Sequence, residues 1–227
     1  MRVLAIDTAL ANCAVAVLDD SDENPCQFQR AEEIGRGHAE RLMSMIGEVM
    51  AESSTAFTDL DRVIVTTGPG SFTGLRVGLS VAKGFGLVLE KPVVGVTTLA
   101  AIARSYAPCE TSASSSLLVA LEGKGDEVYC QLFDASGNIA GEAGVQTLTS
   151  LLETLPGELR LAGSAARKVA ETLCRGDDII ENELAYPDIV EVARLGMVTD
   201  PKSASAAPLY LRPPDATPQK KGRIERK

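Results

Sequence analysis

The stretch TTGPGSFTGLRVG, residues 66–78, sets glycines around Ser71 and Thr73 immediately ahead of a helical pattern. Backbone N–H groups at a helix start point at whatever lies before them, and glycine lets a phosphate approach closely. On that reading Gly68, Gly70, Ser71, Thr73 and Gly74 form an anion cradle, and Asp7, ending the first apolar run, holds a hydrated magnesium ion. A phosphate-binding P-loop would continue with Lys-Ser or Lys-Thr, whereas Leu75 and Arg76 follow Gly74 here. The competing reading is a tight turn that carries a strand into a closely packed helix. Sequence alone leaves both open.

Other catalytic arrangements find little support. The chain holds one histidine, His38, so a two-histidine metal site cannot form, and as a lone residue at a helix start it is expected on the surface. No G-x-S-x-G occurs, and Ser71 has no identifiable base. The carboxylate pairs Asp19 with Asp20, Asp59 with Asp61 and Asp177 with Asp178 fall at turns and strand ends, where solvated caps are expected. The five cysteines, Cys13, Cys26, Cys109, Cys130 and Cys174, are odd in number and form no C-x-x-C pair. They read as reduced, small buried side chains and not as a disulfide framework or zinc site. The expectation is no catalytic residue and no metal ligand.

The elements that position these residues follow from periodicity. Apolar runs at 3–6 and 13–18 predict antiparallel strands, and a weaker pattern at 28–34 predicts a third. A helix follows from His38 to about residue 50, then a strand at 62–65, a helix at 74–89 and a strand at 92–96. Shifting residues 3–19 by 115 positions lays VLAIDTALANCAVAVLD on LVALEGKGDEVYCQLFD without a gap, both strand ends staying acidic. This implies two copies of a strand-strand-strand-helix-strand unit. The expected division is a first lobe over residues 1–106, a second over 107–212, and a solvated tail over 213–227; helical stretches at 164–175 and 190–196 fall in the second lobe. The tail carries five basic residues against two acidic ones in a chain of net charge −9, so the body is a poor nucleic-acid surface. No run reaches about 18 consecutive apolar residues, and the start is too short and too early in acid for a signal peptide, so a soluble cytoplasmic protein is expected.

Two helices invite a partner. Leu42, Met45, Ile46, Val49 and Met50 share one arc of the first, and methionine suits surfaces that form and re-form; an ordinary core stripe is the alternative. In the second, Val77, Val81, Phe85 and Val88 lie on one flank, while Gly78, Ala82 and Gly86, spaced by four, would let a neighbouring backbone come close. An apolar arc that wide exceeds what one sheet face would cover. A glutamate at Val81 or Met45 is therefore expected to abolish pairing and leave the fold intact.

The paired units, the aspartate ending strand one and the glycine loop before a helix resemble the sugar kinase, actin and heat-shock ATPase superfamily. More narrowly, LAIDTA, GHAERL, GPGSFTGLRVG, PVVGVTTL, GDEVY and PLYLR, in this order along nearly the whole chain, resemble the TsaB (YeaZ) family of tRNA threonylcarbamoyladenosine biosynthesis proteins. Where that family usually has Asp-Ala-Arg, this chain has Glu122-Gly123-Lys124. The resemblance implies an α/β fold of two actin-like lobes, mixed sheets flanked by helices in a duplicated βββαβα-type unit. It also implies a non-catalytic subunit that binds the catalytic subunit TsaD, which transfers a threonylcarbamoyl group to N6 of adenosine 37 in tRNA. TsaD has two metal-binding histidines four apart on the helix after this strand, where the present chain has Thr98 and Ile102. The ATPase TsaE would join the assembly, the two helices would pair with TsaD or with a second copy in a homodimer, and tRNA would be met only through the complex. ATP or ADP would bind only in that complex, no cofactor being held tightly alone. The rivals are an autonomous ATP-dependent kinase or phosphotransferase and, more remotely, a peptidase.

Overall fold

The computed structural model describes residues 1–21, 26–106 and 115–212. β1 (Arg2–Asp7) and β2 (Asn12–Asp19) are apolar runs because both faces of the sheet they centre are covered; almost every side chain in them is buried. β1 runs antiparallel to β2 and parallel to β4 (Arg62–Gly68), which is parallel to β5 (Val93–Thr97). β3 (Cys26–Glu33) pairs antiparallel with β2 at the edge, giving the order β3-β2-β1-β4-β5. Its weak apolar pattern follows from that edge position, where most of its residues meet solvent.

The second sheet repeats the first. β6 (Ser116–Glu122), β7 (Glu127–Phe133), β8 (Gly144–Thr147), β9 (Leu159–Ala162) and β10 (Ile180–Asn182) have the order β10-β9-β6-β7-β8, the same topology with each strand replaced by its copy. The two actin-like lobes are thus present. The gapless 115-residue shift is not: Ile6 pairs with Val15 while its copy Leu121 pairs with Tyr129, so the second hairpin is one residue shorter. Asp134 therefore lies beyond β7, where its carboxylate accepts the Ser136 and Asn138 N–H groups in a turn.

α1 (His38–Glu52) and α2 (Phe72–Leu89) cover one face of the first sheet, over Leu4, Ile6, Val15, Val17 and Val65. The opposite face, with Val3, Ala5, Ala14, Ala16 and Ile64, is covered by Ile189, Val190, Val192 and Ala193 of α6 (Ile189–Val198). In return, Leu99, Ile102 and Ala103 of α3 (Thr98–Ser105) pack with Leu117, Val119, Leu121 and Phe133 of the second sheet. α4 (Leu148–Leu152) and α5 (Ala166–Thr172) cover that sheet's other face. Each half thus lends its last helix to the other, and the expected division at 106/107 fails as a packing boundary. The reason is that β1 and β2 need a cover on their second face: α6 supplies it with Ala101 of α3 beside it, while Leu99, Ile102 and Ala103 of α3 meet the second sheet.

The return segment continues along the first lobe: Gly95 N–H donates to the Ala204 carbonyl (3.1 Å) and Leu209 N–H to that of Thr67 (2.7 Å). Arg62 Nη1 donates to the Gly196 (2.8 Å), Met197 (3.2 Å) and Thr199 (3.0 Å) carbonyls, closing the end of α6. The tail at 213–227 and the junction at 107–108 lie outside the described residues.

Candidate functional site

The glycine loop is built around the β1–β2 turn. Gly68–Pro69 is a cis peptide, and Ser71 caps α2, its Oγ accepting the Gly74 N–H (3.3 Å). The Ser71 N–H itself donates to the Ala9 carbonyl (2.6 Å). A Cβ at Gly70 would stand 2.2 Å from the Ala9 carbonyl oxygen, and one at Gly74 would stand 2.1 Å from that of Thr8. Thr8 Oγ1 donates to the Gly74 carbonyl (2.7 Å) and accepts the Gly78 N–H (3.1 Å). The glycines are therefore required by the approach of chain to chain, and the Ser71 and Gly74 donors are already occupied. Of the five cradle residues, Gly68, Gly70, Ser71 and Gly74 are brought together as a turn, and the Thr73 side chain faces outward.

Asp7 sits beneath this turn with 0% exposure. Its Oδ1 accepts the Thr66 hydroxyl (2.6 Å) and the Ala9 N–H (3.0 Å), while Oδ2 has no partner among the described residues. Burial pushes the carboxyl above its ordinary range, against the Thr66 and Ala9 hydrogen bonds and the nearby His38, which pull it down. A hydrated magnesium ion keeps several waters and takes open carboxylate oxygens. In the single chain the Asp7 carboxylate is enclosed, with only Oδ2 left for such an ion.

The surface position expected for His38 is corrected. It is only 7% exposed, its Nε2 lying 3.3 Å from the Asn12 carbonyl, because the start of α1 tucks against the start of β2. Thr98 and Ile102, at the places of the TsaD histidines, are buried one turn apart on α3. Among the described residues no group of three or more His, Cys, Asp or Glu could hold a metal. The carboxylate pairs serve turns and ion pairs: Asp20 accepts the N-terminal ammonium, Asp19 pairs with Arg2, Asp59 and Asp61 accept the Ala56 and Arg2 N–H groups, and Asp177 meets Arg167. Between the lobes a cleft of about 460 Å³ is lined by Leu10, Pro69, Gly70 and Ser71 on one side and Leu121 to Lys124 with Tyr129 on the other.

The surface expected to meet a partner is largely core. Leu42, Met45, Ile46, Val49 and Met50 are all buried against the first sheet, so the methionine stripe of α1 is internal. Gly78 and Ala82 are buried on the inner side of α2, and Val77, Val81 and Phe85 are half-buried against that same core. A glutamate at Met45 would enter the core and break the fold, contrary to the expectation above. The large apolar residues that α2 exposes are Leu87 at 81%, Val88 at 79% and Phe72 at 53%, beside exposed Thr73, Arg76, Ser80 and Lys83. Phe72 lies 5.5 Å from the ring of Tyr210 and carries the Arg76 guanidinium 3.7 Å above it. Sequence reasoning placed Val88 on the flank of Val77, Val81 and Phe85 and missed Phe72, Leu87 and Tyr210. The signal was present in Leu87 and Val88, adjacent apolar residues of which at most one can share the arc that meets the sheet. By length and composition alone α2 could cross a membrane.

Comparison with known proteins adds to this geometry. Residues 31–196 match the family model of TsaD, tRNA N6-adenosine threonylcarbamoyltransferase. The chain is 36% identical over 129 residues, 57% of its length, to the tRNA threonylcarbamoyladenosine biosynthesis protein TsaB of Escherichia coli (strain K12), covering 53% of that protein. It thus spans about half the length of this curated relative, as it does of the Haemophilus influenzae protein of the same name, of which it covers 52%. An uncharacterized Mycobacterium tuberculosis protein is 31% identical over 217 residues, 95% of this chain and 94% of that one. The structure of YeaZ from Pseudomonas aeruginosa shares the fold, with a TM-score of 0.76 at 24% identity over 92% of this chain and 99% of that one. With the family model covering most of the chain and the motifs of the glycine loop in place, the chain belongs to the TsaB (YeaZ) family.

Proposed function

We propose that this protein serves tRNA threonylcarbamoyladenosine biosynthesis as a non-catalytic subunit that docks on the catalytic subunit TsaD through the outer face of α2 and activates it. The observation that carries the reading is the apolar end of α2, where Leu87 and Val88 are exposed, with Phe72 half-exposed at the other end of the helix. Exposed patches of this kind, rimmed by polar residues, mark protein interfaces. The glycine loop supports the same reading from the other side, since its close contacts go to Thr8 and Ala9. The ATPase TsaE joins the assembly, tRNA is met only through it in the cytoplasm, and ATP or ADP binds only once the subunits are together. A homodimer forms when TsaD is absent.

Co-purification with TsaD, followed by a tRNA modification assay with and without this chain, tests the reading. Complex formation and a dependence of modification on this chain are expected; modification by TsaD that ignores it would sink the proposal. One observation favours a second reading, an autonomous ATP-dependent phosphotransferase: the unpartnered Oδ2 of Asp7 beneath the loop. Calorimetric titration of the isolated protein with Mg-ATP separates the two, tight binding with phosphoryl transfer favouring the phosphotransferase.

A further inference from the structure

The outer side of α2 carries two cations, and among the described residues its own chain sets no carboxylate against either; Arg76 stacks on the Phe72 ring. Phe72, Arg76, Lys83 and Leu87 recur at spacings of four, seven and four, which align along one stripe at about 3.6 residues per turn. Phe72 and Leu87 are exposed, so the stripe has apolar ends and two cations between them. Neither Arg76 nor Lys83 has an ion pair or hydrogen bond among the described residues, whereas Arg2, Arg30, Arg41, Arg160 and Arg167 each meet a carboxylate. The helix contains no acid from Phe72 to Leu89. Glu90 follows its end, and Glu40 lines a cleft with Val77 on the other flank. Other cations, Arg62 and Lys91 among them, also meet no carboxylate among the described residues; Arg76 and Lys83 differ in lying between the exposed apolar ends of one stripe.

Burying such a stripe against a partner removes water from both cations, which is costly unless the partner supplies carboxylates. A second copy of this chain, related by a twofold axis, would bring the same stripe with the same two cations and no acid. We infer that Arg76 and Lys83 are the specificity-determining residues of this surface. They select a hetero-partner whose apolar face presents carboxylates to them, and they weaken self-pairing through the same face. The inference rests on the docking role proposed above and adds to it the chemistry of the partner.

The test compares the full chain with its Arg76→Gln/Lys83→Gln double variant by analytical ultracentrifugation, alone and with TsaD, across low and high NaCl. Raising salt should weaken the hetero-pairing and strengthen the self-pairing, since it screens an attraction in one and a repulsion in the other. The double variant should bind TsaD roughly tenfold more weakly, self-associate more tightly, and keep its melting temperature. Salt responses of the same sign in both pairings, or a variant that moves neither constant, would overturn the inference. So would binding to phosphatidylglycerol vesicles that the variant abolishes while TsaD pairing stays unchanged. If the wild type shows no pairing with TsaD, the docking role itself fails. The self-pairing arm then still decides the charge claim, tighter self-association of the variant supporting it and no change overturning it.

Discussion

Gly74 and Asp7 carry the strongest demands made by any single residue in the site. A methyl group at Gly74 would collide with the Thr8 carbonyl in a turn already fixed by the Thr8 hydroxyl. Gly74→Ala should therefore cost about 1–3 kcal/mol or more, read as a lowered midpoint in urea unfolding; an unchanged midpoint would mean that the loop is free to move. For Asp7 the folded carboxyl is raised by burial, so both states are neutral below the unfolded value of about 4. As pH climbs from there toward the raised value, the unfolded chain ionises first and stability falls. Asp7→Asn keeps an oxygen for Thr66 and Ala9 but cannot ionise. Its stability relative to wild type should rise with pH above about 4, and a pH-independent difference would contradict the buried charge. In the sequence these two residues were legible as a set, Asp7 and the glycines of the loop. Their purpose was not, because a glycine that admits a phosphate and one that admits a neighbouring carbonyl have the same identity and the same spacing.

At the scale of elements, α1 and α2 differ in what their apolar faces meet. Leu87→Glu should abolish pairing with TsaD and leave the melting temperature in place, since Leu87 touches little of its own chain, while Met45→Glu should unfold the first lobe. Circular dichroism melts beside a binding assay distinguish the two. α1 is also tied to the edge strand β3: Arg41 holds Glu32 and Glu48 together, and Arg30 reaches Glu52. The hydrogen bonds from Arg41, then Ser44, hold Glu48 down to about 2, and Arg41 likewise lowers Glu32. Both carboxyls are depressed below their unfolded values, so this network stabilises the fold above about pH 4.5 and its contribution disappears as pH falls toward about 2. The pairs are partly exposed, so the effect should be small and should shrink in salt. An Arg41→Gln variant should lose the difference from wild type over that window. The existence and type of α1, α2, β1, β2 and β4 were legible from periodicity. Which face of α1 was internal was not, since a stripe that meets a sheet and one that meets another protein share the 3.6-residue period.

Across the whole molecule, the duplicated strand order was readable from the recurrence of apolar runs with acidic ends, but the exchange of α3 and α6 was not. An amphipathic helix records that it covers something and leaves open which sheet that is. Gly196 of α6 marks how tight the exchanged contact is, since a Cβ there would stand 2.4 Å from Ile64 Cγ2. Gly196→Val should destabilise both halves together, as one calorimetric transition at lower temperature, whereas two separated transitions would show the lobes to be independent. The exchange also bears on how the chain is made. β1 and β2 leave the ribosome first, yet the side chains that close their second face arrive only with residues 189–193. At common rates of synthesis the first lobe must wait roughly 5–20 s for them. Nascent chains arrested before Asp188 should remain open to protease throughout β1 and β2, and those released past Thr199 should not.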